Sequence, residues 1–334
     1  MTDRAALAQA FLATTGWIDA QRTVIAGDAS NRRYDRLTRP DGSTVILMDA
    51  PPEKGEDVRP FVRIAEYLVA IGLSAPRLFE MDVENGFLLI EDLGDALFAR
   101  LMAQASDQQM PLYCAATDAL VHLHRADPIA LPACDATWLT EMSGIAFDWY
   151  APSPEAAEQF GEVFAPLAAE VAAAPAVPIL RDFHAENLLW LPQRHGVAQV
   201  GLLDFQDALL GHPAYDLVSI LQDARRDVPA DIQTAVVSYY LAQSGADPAA
   251  FTRAYAILGA QRNLRILGIF ARLGIRDGKP HYIDMIPRVW GYVLQNLNHP
   301  DLGGLAAFIH THLPPPTPEN LEHLRRQCIT TPAP

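Results

Sequence analysis

The chain has 334 residues, 50% of them hydrophobic and 19% charged, enough for one large or two moderate cores, which excludes a disordered polymer or a disulfide mini-scaffold. Its 40 Asp and Glu against 25 Lys and Arg leave a net charge of −15, which opposes electrostatic capture by nucleic acid or an anionic membrane. Cys114, Cys134 and Cys328 form neither a paired framework nor a zinc spacing, so a reducing, cytoplasmic setting is expected.

In chain order, residues 2–15 read as a helix, with Leu7, Ala10 and Phe11 on one face and Gly16 as its stop. The period then changes: 22–27, 32–38 and 43–50 alternate as strands, and Asp41-Gly42 suits a tight hairpin turn. Val58, Phe61, Val62, Ala65, Leu68 and Val69 recur at helical spacing, and strands at 76–81 and 86–92 follow, joined by Asn85-Gly86. Beyond Gly94 the sequence predicts Ala- and Leu-rich helices over 95–105, 110–127, 137–149 and 154–173. Short strands interrupt them at 179–180, 187–191 and 197–204, and helices resume from about 215. Pro314-Pro315-Pro316 with Thr317-Pro318 is a stiff linker before a last short helix. No signal pattern and no run of about 18 apolar residues is found, so no membrane span is expected. The expected class is α+β: a five-stranded antiparallel sheet over 1–93, followed by a larger, mostly helical part over 94–334.

Chemistry gathers around the short strands, in Arg-Asp-Phe-His-Ala-Glu-Asn (Asp182, Asn187), Leu-Leu-Asp-Phe-Gln (Asp204) and Gly-His-Pro-Ala-Tyr-Asp (Asp216). An Asp five residues before an Asn, on a loop entering a strand, lets the carboxylate take a hydroxyl proton while the amide oxygen ligates magnesium. A second Asp after the next strand supplies another hard oxygen ligand. Two other readings of these residues stay open: Asp182 and Asn187 as caps of a hairpin loop, or Asp182, His184 and Glu186 as a zinc or iron cluster.

Over residues 22 to about 290, this order of elements and motifs resembles the aminoglycoside phosphotransferase family, small-molecule kinases with a bilobal protein-kinase-like fold. The family signature is His-Gly-Asp, four residues, then Asn; Asp182 and Asn187 fit it, while Leu180 and Arg181 stand at the first two positions. The resemblance implies ATP and Mg2+ as cofactors, Asp182 as catalytic base, Asn187 and Asp204 as metal ligands, and Asp216 as brace of the catalytic loop. It makes Ala26-Gly27-Asp28-Ala29-Ser30-Asn31 a nucleotide-cover loop, with Gly27, Ser30 and Asn31 near the phosphates, and gives the adenine edge to Glu91 C=O and Leu93 N–H. The third-strand Lys of such folds is replaced by Met48, so Arg33 is the first choice for the missing phosphate cation, ahead of Arg32 and Lys54.

Arg262, Arg265, Ile269 and Arg272 share one helical face, either as internal partners of Asp204, Asp207, Asp216 and Asp223 or as a pocket for an anionic or polar sugar. Gly-Asp-Ala-Ser-Asn-Arg-Arg-Tyr, Met-Asp-Ala-Pro-Pro-Glu and Gln-Arg-Asn-Leu-Arg-Ile-Leu-Gly resemble one branch of the family, the anomeric sugar kinases of bacterial cell-wall recycling. That likeness implies an amino-sugar substrate, N-acetylmuramate or N-acetylglucosamine, phosphorylated at its anomeric hydroxyl. It places His184, Asp207, Arg262 and Arg265 at the substrate, with no nucleic-acid, membrane or obligate protein partner. A kinase of another small alcohol, or a nucleotide-binding pseudokinase, are the alternatives.

Overall fold

The computed structural model describes residues 4–25 and 31–330, with side chains to 328. Helix α1 (Arg4–Thr15) precedes β1 (Gln21–Val24), β2 (Arg33–Thr38) and β3 (Thr44–Asp49); α2 (Arg59–Ala70), β4 (Leu78–Asp82) and β5 (Phe87–Glu91) follow. Then come α3 (Phe98–Gln104), α4 (Gln109–Arg125), α5 (Ala136–Trp149) and α6 (Pro154–Ala172). Four short strands, β6 (Val177–Ile179), β7 (Leu188–Trp190), β8 (Val200–Leu202) and β9 (Leu209–Gly211), lead into a helical remainder. That remainder is α7 (Ala214–Leu221), α8 (Ala230–Ser244), α9 (Pro248–Ile275), α10 (Ile286–Leu297), α11 (Gly303–His312) and α12 (Pro318–Thr330).

The first five strands form one antiparallel sheet in the order β1-β2-β3-β5-β4. Side chains alternate across it, so Leu37, Val45, Leu47, Phe87 and Leu89 share one face and pack with Ala8, Phe11 and Leu12 of α1. Each large side chain so buried contributes about 1.5–3 kcal/mol, which sets the short α1 against the sheet. Tyr34, Arg36, Ile46, Met48, Leu88 and Ile90 fall on the opposite face by the same register. The β2–β3 connection is wider than a two-residue turn: Gly42 N–H donates to Arg39 C=O at 2.9 Å, and Gly42 takes φ +84°. Pro40 at the second turn position favours this form, with the left-handed residue pushed on to Gly42. Gly86 is required at the β4–β5 connection, since φ is +71° and a Cβ would lie 2.0 Å from Ala50 O.

The chain divides into two compact units, Met1–Ile129 with Ala185–Ala208, and Ala130–His184 with Leu209–Pro334. The boundary read near residue 93 follows a change of secondary-structure type; packing instead groups α3, α4 and the β7–β8 hairpin with the sheet, through Trp190 N–H to Ala96 C=O (2.8 Å) and Leu202 N–H to Ser74 C=O (2.8 Å). In the second unit β6 pairs with β9, a strand the sequence reading does not anticipate. The second unit is built around α9, most of whose length is buried. Two glycines let neighbouring helices approach α9: a Cβ on Gly259 would meet the Asn296 side chain of α10, and one on Gly268 the Ile145 backbone of α5. Among the described residues no helix is long and apolar enough to cross a membrane.

Candidate active site

In the first unit a cavity of about 310 Å³ has apolar walls from Ile25, Ile46, Ile90 and Leu189 and is also lined by Glu91, Leu93, Asn187 and Asp204. Apolar walls with a few polar groups suit a flat heterocycle carrying a charged tail. The β7–β8 hairpin brings Asn187 and Asp204 together: Leu203 N–H donates to Asn187 C=O at 3.0 Å, and Asn187 Nδ2 lies 3.4 Å from Asp204 Oδ2. Gln206 Nε2 donates to Asp204 Oδ1 at 2.7 Å. An amide oxygen and a carboxylate are hard donors, so the pair fits a magnesium-type cation. The predicted hinge residues Glu91 and Leu93 both line this cavity, and Arg194 closes a 2.5 Å ion pair behind Glu91.

The cover-loop residues Gly27 and Ser30 lie outside the described residues. Asn31 directs its amide toward Lys54 C=O (3.3 Å) and its N–H toward Glu56 (3.1 Å). Arg33 lies on the α1 face of the sheet, opposite Tyr34 and Arg36, and pairs with Asp35 at 3.1 Å, which favours another cation for the nucleotide. The Asp35 side chain is fully buried, so it holds Arg22 and Arg33 as counter-charges. Arg32 lies just before β2, and its Nε binds Glu56 at 2.8 Å with both side chains nearly buried. Met48 is fully buried directly across from Tyr34.

In the second unit the Asp216 carboxylate, in the first turn of α7, accepts two main-chain bonds: from Leu180 N–H at 2.6 Å and Arg181 N–H at 2.8 Å. Ser219 Oγ donates to Arg181 C=O at 3.1 Å, so the turn carrying Asp182 is fastened on both sides. Burial pushes the Asp216 carboxyl up to about 7, against the two amide bonds and Arg262, which pull it down. Asp182 is half-buried, and its charge, with those of Tyr215 and Asp223, offsets the burial that lowers the Arg262 guanidinium.

Arg262 is buried and Arg265 half-buried on α9. Arg265 Nη1 donates to the Tyr215 hydroxyl at 3.4 Å, and its guanidinium lies over Trp138. Among the described residues neither arginine closes an ion pair, and Arg262 Nη1 and Arg265 Nε have no hydrogen-bond partner. Asp182 and Asp223 act on Arg262 through charge without closing an ion pair with it. Asp207 is exposed on the turn after Asp204.

His184 is 6% exposed, with Nε2 3.3 Å from Arg225 Nη1. Burial, then Arg225 and Arg262, hold its pKa well below the usual histidine range. Among the described residues no three His, Cys, Asp or Glu side chains gather as a metal cage, which leaves a cluster of Asp182, His184 and Glu186 without support. Sequence reasoning names Arg32 only behind Arg33 and does not single out Glu56 or Trp138, whose meetings with Arg32 and Arg181 arise only in the tertiary structure.

The family model described as "Phosphotransferase enzyme family" matches residues 21–256. An N-acetylmuramate/N-acetylglucosamine kinase from Caulobacter vibrioides is 39% identical, covering 94% of this chain and 98% of that protein. A kinase of the same name from Pseudomonas aeruginosa is 35% identical, covering 83% and 85%. Among solved structures, a choline/ethanolamine kinase family protein from Mesorhizobium loti superposes with a TM-score of 0.62 at 14% identity, covering 92% of this chain and all of that one. The fold is accordingly protein-kinase-like, a five-stranded antiparallel sheet followed by a helical part. With the match spanning the sheet, both short hairpins and the start of α9, the chain belongs to the phosphotransferase enzyme family.

Proposed function

We propose that this chain is an ATP- and Mg2+-dependent kinase that phosphorylates the anomeric hydroxyl of N-acetylmuramate and N-acetylglucosamine. The observation that carries the reading is the near full-length likeness to relatives bearing that name. The site supplies matching chemistry. Asp182, on its fastened turn, takes the proton of the anomeric hydroxyl as that oxygen accepts the γ-phosphoryl group, and ADP leaves. Adenine occupies the apolar cavity and meets Glu91 C=O and Leu93 N–H. Asn187 and Asp204 hold the magnesium ion. When bound, the ion supplies charge neutralisation for the triphosphate.

On the acceptor side Arg262 lies within the field of Asp182 and Arg265 faces the sugar; an arginine on that side with no carboxylate ion pair among the described residues favours an acidic acceptor over a cationic one such as choline. Cys114, Cys134 and Cys328 are all free thiols, which supports a reducing, cytoplasmic setting for a chain that acts on recycled cell-wall sugars. The test is ATP consumption with each sugar, with magnesium present and withheld. Turnover of both sugars, dependent on magnesium, is expected; no turnover of either by folded protein sinks the sugar-kinase reading.

Arg32 takes the phosphate role left open by Met48, steered by Glu56 as the third-strand Lys of related folds is steered by its own acidic partner. Arg32→Ala should raise KM for ATP by roughly 10-fold or more, the scale of one charged hydrogen bond. Arg33→Ala should leave it within about two-fold, and initial rates over an ATP series separate the two variants. The opposite ranking would return the role to Arg33.

A further inference from the structure

Arg181 and Asp204 are the two described non-glycine residues with positive φ, at +68° and +56°. Glycine occupies this conformation without steric cost, and an arginine does not. The backbone of Arg181 is held there by Asp216 from one side and Ser219 from the other, so relaxing it means breaking the turn that carries Asp182. A strained position that keeps a bulky side chain points to a use for that side chain.

The guanidinium lies over the Trp138 ring, 5.2 Å from its centroid, and Arg265 lies 5.6 Å from the same centroid. The main-chain N–H of Trp138 donates to the Asp135 carboxylate that caps α5, at 2.8 Å, which fixes the backbone that carries the ring. All three side chains are half-buried and keep open surface. Two guanidinium forks are gathered on one indole, and Arg265 has no carboxylate partner among the described residues. With five donors on each fork, a carboxylate added here would accept from both.

We propose that Arg181 and Arg265, braced on Trp138, form the carboxylate subsite of the acceptor site, and that Arg181 sets the preference for an acidic sugar over a neutral one. This rests on the sugar-kinase reading. The lactyl carboxylate of N-acetylmuramate is the group recognised; N-acetylglucosamine lacks it. The side chain at 181 is thus a specificity residue placed one position before the proposed base.

The test compares wild type, Arg181→Gly and Arg181→Lys on both sugars, with kcat and KM measured separately and melting temperature recorded. Arg181→Gly should raise KM for N-acetylmuramate about 10-fold or more, with N-acetylglucosamine changed much less and KM for ATP held within about two-fold. Its melting temperature should be unchanged or higher, because the strain is gone. Arg181→Lys keeps the charge but not the fork, and should fall between the two. Combination with Arg265→Ala should cost less than the sum of the single losses, since both groups hold one carboxylate. Equal changes for both sugars, a kcat loss with KM intact, or no change would each overturn the proposal and leave Arg181 at most a positioning residue. Wild type inactive on both sugars would overturn the sugar reading and this inference with it, whereas failure of the inference alone leaves wild type active on both.

Discussion

Asp182→Asn should lower turnover by about 10²–10⁴-fold with either sugar, while the affinity for ATP stays nearly constant. The amide keeps the shape and much of the polarity of the carboxylate but cannot take a proton. The turn should survive, because its shape is held through the main-chain amides of Leu180 and Arg181 by Asp216, not by the side chain of Asp182. An unchanged melting temperature with a collapsed kcat is therefore the expected pattern. Nucleotide binding should be spared, since Asp182 is not among the residues that line the cavity. Turnover within a few-fold of wild type would remove Asp182 from the base role.

Asp204→Ala should weaken magnesium-dependent nucleotide binding by roughly 100-fold or more. Loss of a residue that merely orients a metal ligand already costs about 10–100-fold, and here a ligand itself is lost. Calorimetric titration of ADP with and without magnesium reads the effect directly: the variant should lose the gain that magnesium gives the wild type. Because Asp204 sits at φ +56°, alanine there also meets a backbone it does not favour. Asp204→Asn controls for this, as asparagine tolerates the left-handed region yet brings no charge. If the asparagine variant keeps the full magnesium effect, Asp204 is not the charged ligand.

Element order was legible along nearly the whole chain because each stretch carries one period, two in the sheet and 3.6 in the helices. Strand β9 escaped because Leu209-Leu210-Gly211 is too short to show a period, and it becomes a strand only by pairing with β6. Asp182, Asn187 and Asp204 could be singled out as candidates because their spacing is local. Arg33 is a different case: β2 carries charged residues on both faces, so polarity does not say which face meets the nucleotide, and buried Asp35 recruits it elsewhere. Trp138, Arg181 and Arg265 come from three distant parts of the chain, and no window of sequence reports their meeting.

The Asp216 anchor has a further bearing on how such a chain can vary. Its two bonds go to peptide N–H groups, which every residue except proline provides, so the loop is tied without reference to the side chains at 180 and 181. A motif that reads His-Gly in the family can be rewritten as Leu-Arg with the tether intact. Leu180 then turns into the core, at 4% exposure, and Arg181 turns toward Trp138. On the proposed reading, the position next to Asp182 is a place where acceptor preference can drift by single substitutions while the tether of the loop stays unchanged.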